Sequence, residues 1–304
     1  MIIRPRPRGW QLLYMLRGSV LPAIAPKVLI IGVLAVAVSA FEHYWHPFGR
    51  DAATVVPFTL LGLVLSIFLS FRNNACHDRW WEGRKQWGQL LIEARGFARE
   101  SAALLAAEPV LRERTSQLLV GFAHALAAHL RGRDEAAACA PWLMDDQRGL
   151  LQRRNIPDAL LTRIATELAQ PLHEGRLQPY LYAQFEARLH GLSAVQASCE
   201  RIGGTPLPFA YTLLLHRCAW LFCVLLPFGL AGALGWATPV VSMLLAYAFF
   251  GLDQLGEEME EPFGLEANDL PLDAMVRTIE IDVLDALGRQ PLPEPLQPQG
   301  YQLH

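Results

Sequence analysis

The chain has 304 residues, of which 52% are hydrophobic and 18% charged, with a mean hydropathy of +0.22; an average soluble domain carries roughly a quarter charged residues. A net charge of −3 argues against a nucleic-acid partner, because such proteins carry a basic surface. The apolar excess is gathered in two blocks, one towards each end, so the expected surroundings are membrane lipid around a polar middle.

Residues 1–27 carry Arg4, Arg6, Arg8, Arg17 and Lys27 and no acid. The first apolar run covers residues 28–41 and extends towards Trp45, with Glu42 breaking it. Its small-residue ending, Val38-Ser39-Ala40, resembles a leader cleavage site. The preceding segment is long and contains Pro5, Pro7, Pro22 and Pro26, so the run is expected to be a retained helix. The second run, residues 52–71, is interrupted only by hydroxyl residues such as Thr54, Thr59 and Ser66, and has the length that spans a hydrocarbon core.

Residues 74–208 read as helices at 79–107, 109–131, 156–174 and 179–201, each with apolar residues at three- and four-residue spacing. Breaks are expected at 108–109, 132–134, 140–141 and 203–204, where Pro and Gly cluster. The third apolar run covers 218–236, entered from His216 and Arg217. The fourth covers 237–252 and ends at Asp253; it is short for a full span, and a re-entrant or buried helix is the alternative. Beyond Leu252, acids from Asp253 to Glu294 face only Arg277 and Arg289. Residues 291–298 are proline-rich and read as an extended arm. The expected divisions are 1–73, 74–208, 209–253 and 254–304.

Orientation follows the basic residues beside span ends. Those of the N-terminus, and Arg72, Arg79, Arg84, Lys85, Arg95 and Arg99 after the second span, mark one side. The connectors on the other side hold a single arginine. A multi-pass protein of the cell inner or plasma membrane, with both termini and the long middle segment in the cytoplasm, is the expectation.

Enzyme chemistry has no foothold. There is no glycine-rich phosphate loop, no H-E-x-x-H and no G-x-S-x-G, so neither catalytic residues nor a cofactor is expected. His43/His46 and His124/His129 lack a third ligand, which makes a structural or surface role the better reading. Glu257 and Glu261 lie one turn apart and read as a solvated face. The five cysteines, Cys76, Cys139, Cys199, Cys218 and Cys223, are odd in number and form no C-x-x-C. They fit reduced thiols that pack, not a disulfide framework or a metal site.

Leu63, Ile67 and Phe71 fall at i, i+4 and i+8 of the second run and share one helix face. Spacing leaves two readings open: a face against lipid or another helix, or stacked apolar rings around an axis that gate ions by dewetting.

A resemblance bears on that choice. Pro57-Phe58-Thr59-Leu60-Leu61-Gly62, Phe68-Leu69-Ser70-Phe71-Arg72-Asn73-Asn74 and Arg79-Trp80-Trp81-Glu82-Gly83-Arg84-Lys85-Gln86-Trp87-Gly88 are similar to the bacterial branch of the bestrophin family. Glu200-Arg201-Ile202, Thr205-Pro206-Leu207-Pro208-Phe209-Ala210-Tyr211-Thr212 and Glu257-Glu258-Met259-Glu260-Glu261-Pro262-Phe263-Gly264 follow in family order. The resemblance covers about residues 2–285. It implies an all-α integral membrane fold, four transmembrane helices and a large cytosolic helical part per subunit, in a homopentamer around one pore.

Carried over by position, the resemblance makes Leu63, Ile67 and Phe71 the apolar neck; leucine at the first place departs mildly from the usual isoleucine or phenylalanine. A second, cytosolic aperture corresponds to Tyr180 or Leu181. Animal members are calcium-activated chloride channels with a dense acidic run after Pro-Phe-Gly. Here only Glu266 and Asp269 follow Pro262-Phe263-Gly264, a thin supply for an ion that takes six to eight oxygens. They read as a possible cation site or as caps of the junction. The bacterial branch is expected to favour monovalent cations such as sodium. The sequence does not say which of Arg72, Asp78, Arg79 or the C-terminal glutamates face the axis. A secondary transporter is the alternative, but no inverted repeat relates the two apolar pairs. A scaffold that recruits a cytosolic protein partner is a third reading.

Overall fold

A computed structural model describes residues 1–4, 9–12, 14–16, 18–45 and 56–303. Arg6, Arg8, Arg17, Pro5, Pro7, His46, most of the first connector and the expected start of the second span at 52–55 lie outside the described residues. Those described are all-α. No strand forms among them; isolated bridges join Ile2 to Gln302 and Gln299 to Gln302.

The helices are α1 (Gly9–Leu12), α2 (Leu21–Trp45), α3 (Val56–Leu104), α4 (Pro109–Leu130), α5 (Glu135–Cys139), α6 (Ile156–His173), α7 (Pro179–Gly204), α8 (Phe209–Leu234), α9 (Thr238–Glu260) and α10 (Leu272–Ala286). Proline starts several of them: Pro109, Pro157 and Pro179 sit in first turns, where the missing N–H has no intrahelical partner to lose. Asn155 accepts from the Asp158 amide at 3.0 Å and Asp134 from the Ala137 amide at 3.0 Å, capping α6 and α5 in the usual way.

Two compact units form. The apolar unit comprises Arg4–Trp80 and Pro206–Glu261, and the polar unit comprises Met1–Ile3, Trp81–Thr205 and Pro262–His304. Among the described residues, three helical stretches are long and apolar enough to cross a membrane: Leu21–Trp45, Val56–Leu104 and Phe209–Glu260, with hydropathies of 2.3, 1.6 and 2.0. The third is broken by a turn at Gly235–Ala237 into α8 and α9. Gly235 holds φ +52° and ψ −125°, a conformation that a side chain would strain.

Within the apolar unit the directions of the helices can be read from their contacts. Ile24 lies beside Gly251, Gly32 beside Met243, and the His43 ring is 5.9 Å from Trp236; α2 and α9 are therefore antiparallel. Phe58 lies on Gly229, Phe222 on Gly62, and the Tyr211 hydroxyl donates to the Phe68 carbonyl at 3.2 Å, so α3 and α8 are antiparallel too. Their shared core includes Ile31, Leu69, Ala219, Phe222, Cys223 and Phe250. At one end Tyr44, Trp45 and Trp236 are exposed, in the pattern of aromatic residues anchoring at a membrane–water interface.

The structure corrects one expectation and extends two. The fourth apolar run ends at Asp253, but its helix, α9, continues to Glu260. No helix begins at Arg79, since α3 runs unbroken for 49 residues. The acidic tail contains α10, whose Leu272, Val276, Ile279 and Val283 are buried at the spacing of one helix face. In the polar unit, α10, α5 and α6 pack around α4, whose Leu118, Phe122, Ala125 and Leu126 are completely enclosed.

Candidate functional site

The first part of α3 has two faces. Leu65, Leu69, Arg72 and Cys76 are 0–3% exposed and turn into the apolar unit. Leu63, Ile67 and Phe71 are 58%, 46% and 60% exposed. At 3.6 residues per turn these two stripes lie on opposite sides of the helix. Only 17% of the apolar window of α3 is buried, against 33% for Leu21–Trp45 and 44% for Phe209–Glu260. The expected neck residues thus share one outward face, away from the helices that α3 packs on.

That face is kept apolar by local hydrogen bonding. The Ser66 hydroxyl donates to the Gly62 carbonyl at 2.8 Å, and the Ser70 hydroxyl to the Ser66 carbonyl at 2.9 Å. Both side chains fold back on their own helix, so they offer little to an ion that has shed its water.

The inner face carries a buried polar cluster. Arg72 Nη1 is 2.7 Å from Asp253 Oδ1 and donates to the Asp253 carbonyl at 3.3 Å, while Nη2 reaches Glu260 Oε2 at 3.5 Å. His216 Nδ1 is 2.7 Å from Asp253 Oδ2. Gly256 gives the guanidinium room: a Cβ there would fall 3.4 Å from Arg72 Nη1 and 2.6 Å from Asn73 Oδ1. Arg79 Nε donates to the Glu260 carbonyl at 2.6 Å, satisfying one of the carbonyls that the end of α9 leaves unpaired. Arg72 and Arg79 therefore belong to the inner side of α3.

The sequence did not reveal this cluster. Asp253 read as the residue that stops a span. The available signal was a lone acid inside an apolar helix, which needs a partner charge, and the arginine just past the second span was the obvious one.

Tyr180 and Leu181 lie in the first turn of α7, in the polar unit; Tyr180 is 66% exposed and Leu181 half-buried. Glu266 and Asp269 are brought together in one turn of the polar unit. Asp269 Oδ2 accepts the Glu266 amide at 2.6 Å, and the Asp269 amide donates to the Glu266 carbonyl at 3.2 Å. Asp269 is 3% exposed, whereas Glu266 faces solvent. The turn is clamped by Arg131, which donates to the carbonyls of Phe263 and Leu270 and lies 2.7 Å from Asp273 Oδ2. Burial pushes the Arg131 guanidinium below its ordinary pKa, against the pull of Asp273.

The histidine pair His124/His129 is split between partners. His124 stacks on Trp142 near Glu280, whereas His129 Nδ1 is 2.8 Å from Glu135. Glu257 lies in the last two turns of α9 and Glu261 is its C-cap; both are exposed. Among the described residues, no group of three or more His, Cys, Asp or Glu side chains is placed to hold a metal.

The sequence profile described as Bacterial/Fungal Bestrophin protein matches residues 1–285. The chain belongs to the bestrophin family. This bestrophin is 42% identical over 291 residues to a voltage-dependent anion channel-forming protein of Mesorhizobium japonicum, covering 96% of this chain and 94% of that one. It is 40% identical to the voltage-dependent anion channel-forming protein YneE of Escherichia coli K12, over the full length of both. The crystal structure of a bacterial bestrophin homolog from Klebsiella pneumoniae superimposes with a TM-score of 0.84 at 38% identity, covering 88% of this chain and 100% of that one. The bestrophin fold and the absence of an enzymatic role follow from that membership.

Proposed function

We propose that the chain is one subunit of a homopentameric channel for monovalent ions, with Leu63, Ile67 and Phe71 of each copy forming stacked rings around a shared axis. The supporting observation is the outward stripe itself: three large apolar side chains left half exposed on the least buried span. Rings of that kind hold back ions, which must leave water without receiving replacement oxygens, and conduct when wetted. Tyr180 or Leu181 forms a second aperture on the same pathway, and the 262–270 turn with Glu266 and Asp269 is a junction element. In this reading α2, the start of α3, α8 and α9 cross the inner membrane, and both termini stay in the cytoplasm. The polar unit is free to recruit a cytosolic partner.

The relatives are named for anions, while the resemblance implies monovalent cations for the bacterial branch. An apolar neck carries no fixed charge to decide the sign. The test is the reversal potential of purified protein in a planar bilayer under a sodium chloride gradient, with mass measurement of the detergent-solubilised assembly. Unitary currents from a pentamer are expected. A monomer or dimer without currents would overturn the proposal, and gradient-coupled saturable flux would mean a transporter.

A further inference from the structure

Below the neck, the same stripe of α3 reaches polar residues. Seven residues after Phe71 the helix face returns to Asp78, about 10 Å further along the axis, with Asn74 between them and exposed. The Asp78 side chain is 85% exposed and lies 3.9 Å from His77 Nδ1, a long ion contact. The neighbouring cations are turned elsewhere. Arg72 is 1% exposed against Asp253 and Glu260, and Arg79 is bonded to the end of α9. The next cation on this line of the helix is Lys85, about 10 Å further on, which is a full screening length at physiological salt.

Resting on the reading of Leu63, Ile67 and Phe71 as the pore wall, we infer that Asp78 is a specificity-determining residue that gives the pathway its preference for cations. Five carboxylates in a ring beside a water-poor constriction create a negative potential. A confined negative potential raises the local concentration of cations and lowers that of anions.

The test compares wild type, D78N and D78E in planar bilayers under a sodium chloride gradient. Wild type should reverse towards the sodium potential. D78N should lower the sodium-to-chloride permeability ratio by about threefold or more, and D78E should retain it. The difference should shrink near 1 M salt, where screening acts over about 3 Å. A conducting D78N with the wild-type ratio would overturn the role of Asp78 while leaving the channel intact. Wild-type reversal towards the chloride potential would do the same. A wild type that passes no current would overturn the channel reading and this inference together.

Discussion

Arg72 and Asp253 are 181 positions apart in the chain, yet they meet at 2.7 Å with side chains 1% and 4% exposed. The pair joins the second apolar span to the last one at the point where both turn polar. Water is excluded there, so neither charge is tolerable without the other. R72A or D253A should cost about 3–5 kcal/mol, because each leaves one buried ion uncompensated. Replacing both by leucine should cost much less. Thermal unfolding in detergent checks this, and purely additive effects of the two single variants would show that the pair is not coupled.

The neck assignment predicts a functional effect with little loss of stability. Leu63, Ile67 and Phe71 are about half exposed within one subunit, so trimming them removes little of its core. The triple alanine variant should raise single-channel conductance or open probability, since smaller rings wet more readily. Unchanged currents in a well-folded triple variant would remove these residues from the pathway.

Much of this architecture was legible in the sequence because proline and periodicity mark helices locally. The starts at Pro109, Ile156 and Pro179 match the expected ones, as first-turn proline and N-caps act over a few residues. The clustering of Leu63, Ile67 and Phe71 on one side needed only the helical repeat. What was not legible is non-local. A charge read alone looks like the end of a span, so Asp253 seemed to stop a helix that in fact continues for two turns. Arg72, at the far end of another span, is what makes it tolerable. Likewise α10 hid in an acidic segment, because its apolar stripe of Leu272, Val276, Ile279 and Val283 is thin and becomes meaningful against α4.

Acid should weaken the polar unit through Glu167. Its carboxylate is 8% exposed and accepts from Arg114 Nε at 2.6 Å, Gln147 Nε2 at 2.9 Å and Arg163 Nε at 2.9 Å. Burial alone pushes its pKa up, but the hydrogen bonds from Arg114, Gln147 and Arg163 outweigh it and hold the group below its ordinary value of 4.5. A depressed folded pKa adds stability above the unfolded value, and that stability is lost as pH falls through the folded one. E167Q should therefore cost about 1–3 kcal/mol at neutral pH. The gap to wild type should close as pH drops below about 4.5. Denaturation curves across that range test it, and a gap independent of pH would sink the idea.

Two thiols of the polar unit should be chemically silent in the native protein. Cys139 and Cys199 are both fully buried. Burial, with a smaller push from Glu135 and Asp134, raises Cys139 to about 11; burial and the charges of Glu200 and Glu82 raise Cys199 to about 12. The thiolate is the reactive form, so the Cys139 thiol should react about 100-fold more slowly at neutral pH than an exposed cysteine, and Cys199 more slowly still. Lack of access slows both further. Maleimide labelling read by peptide mass spectrometry, before and after unfolding, measures the ratio. Rapid modification of either cysteine in the folded protein would mean that α5 or α7 opens readily, against the tight packing around α4.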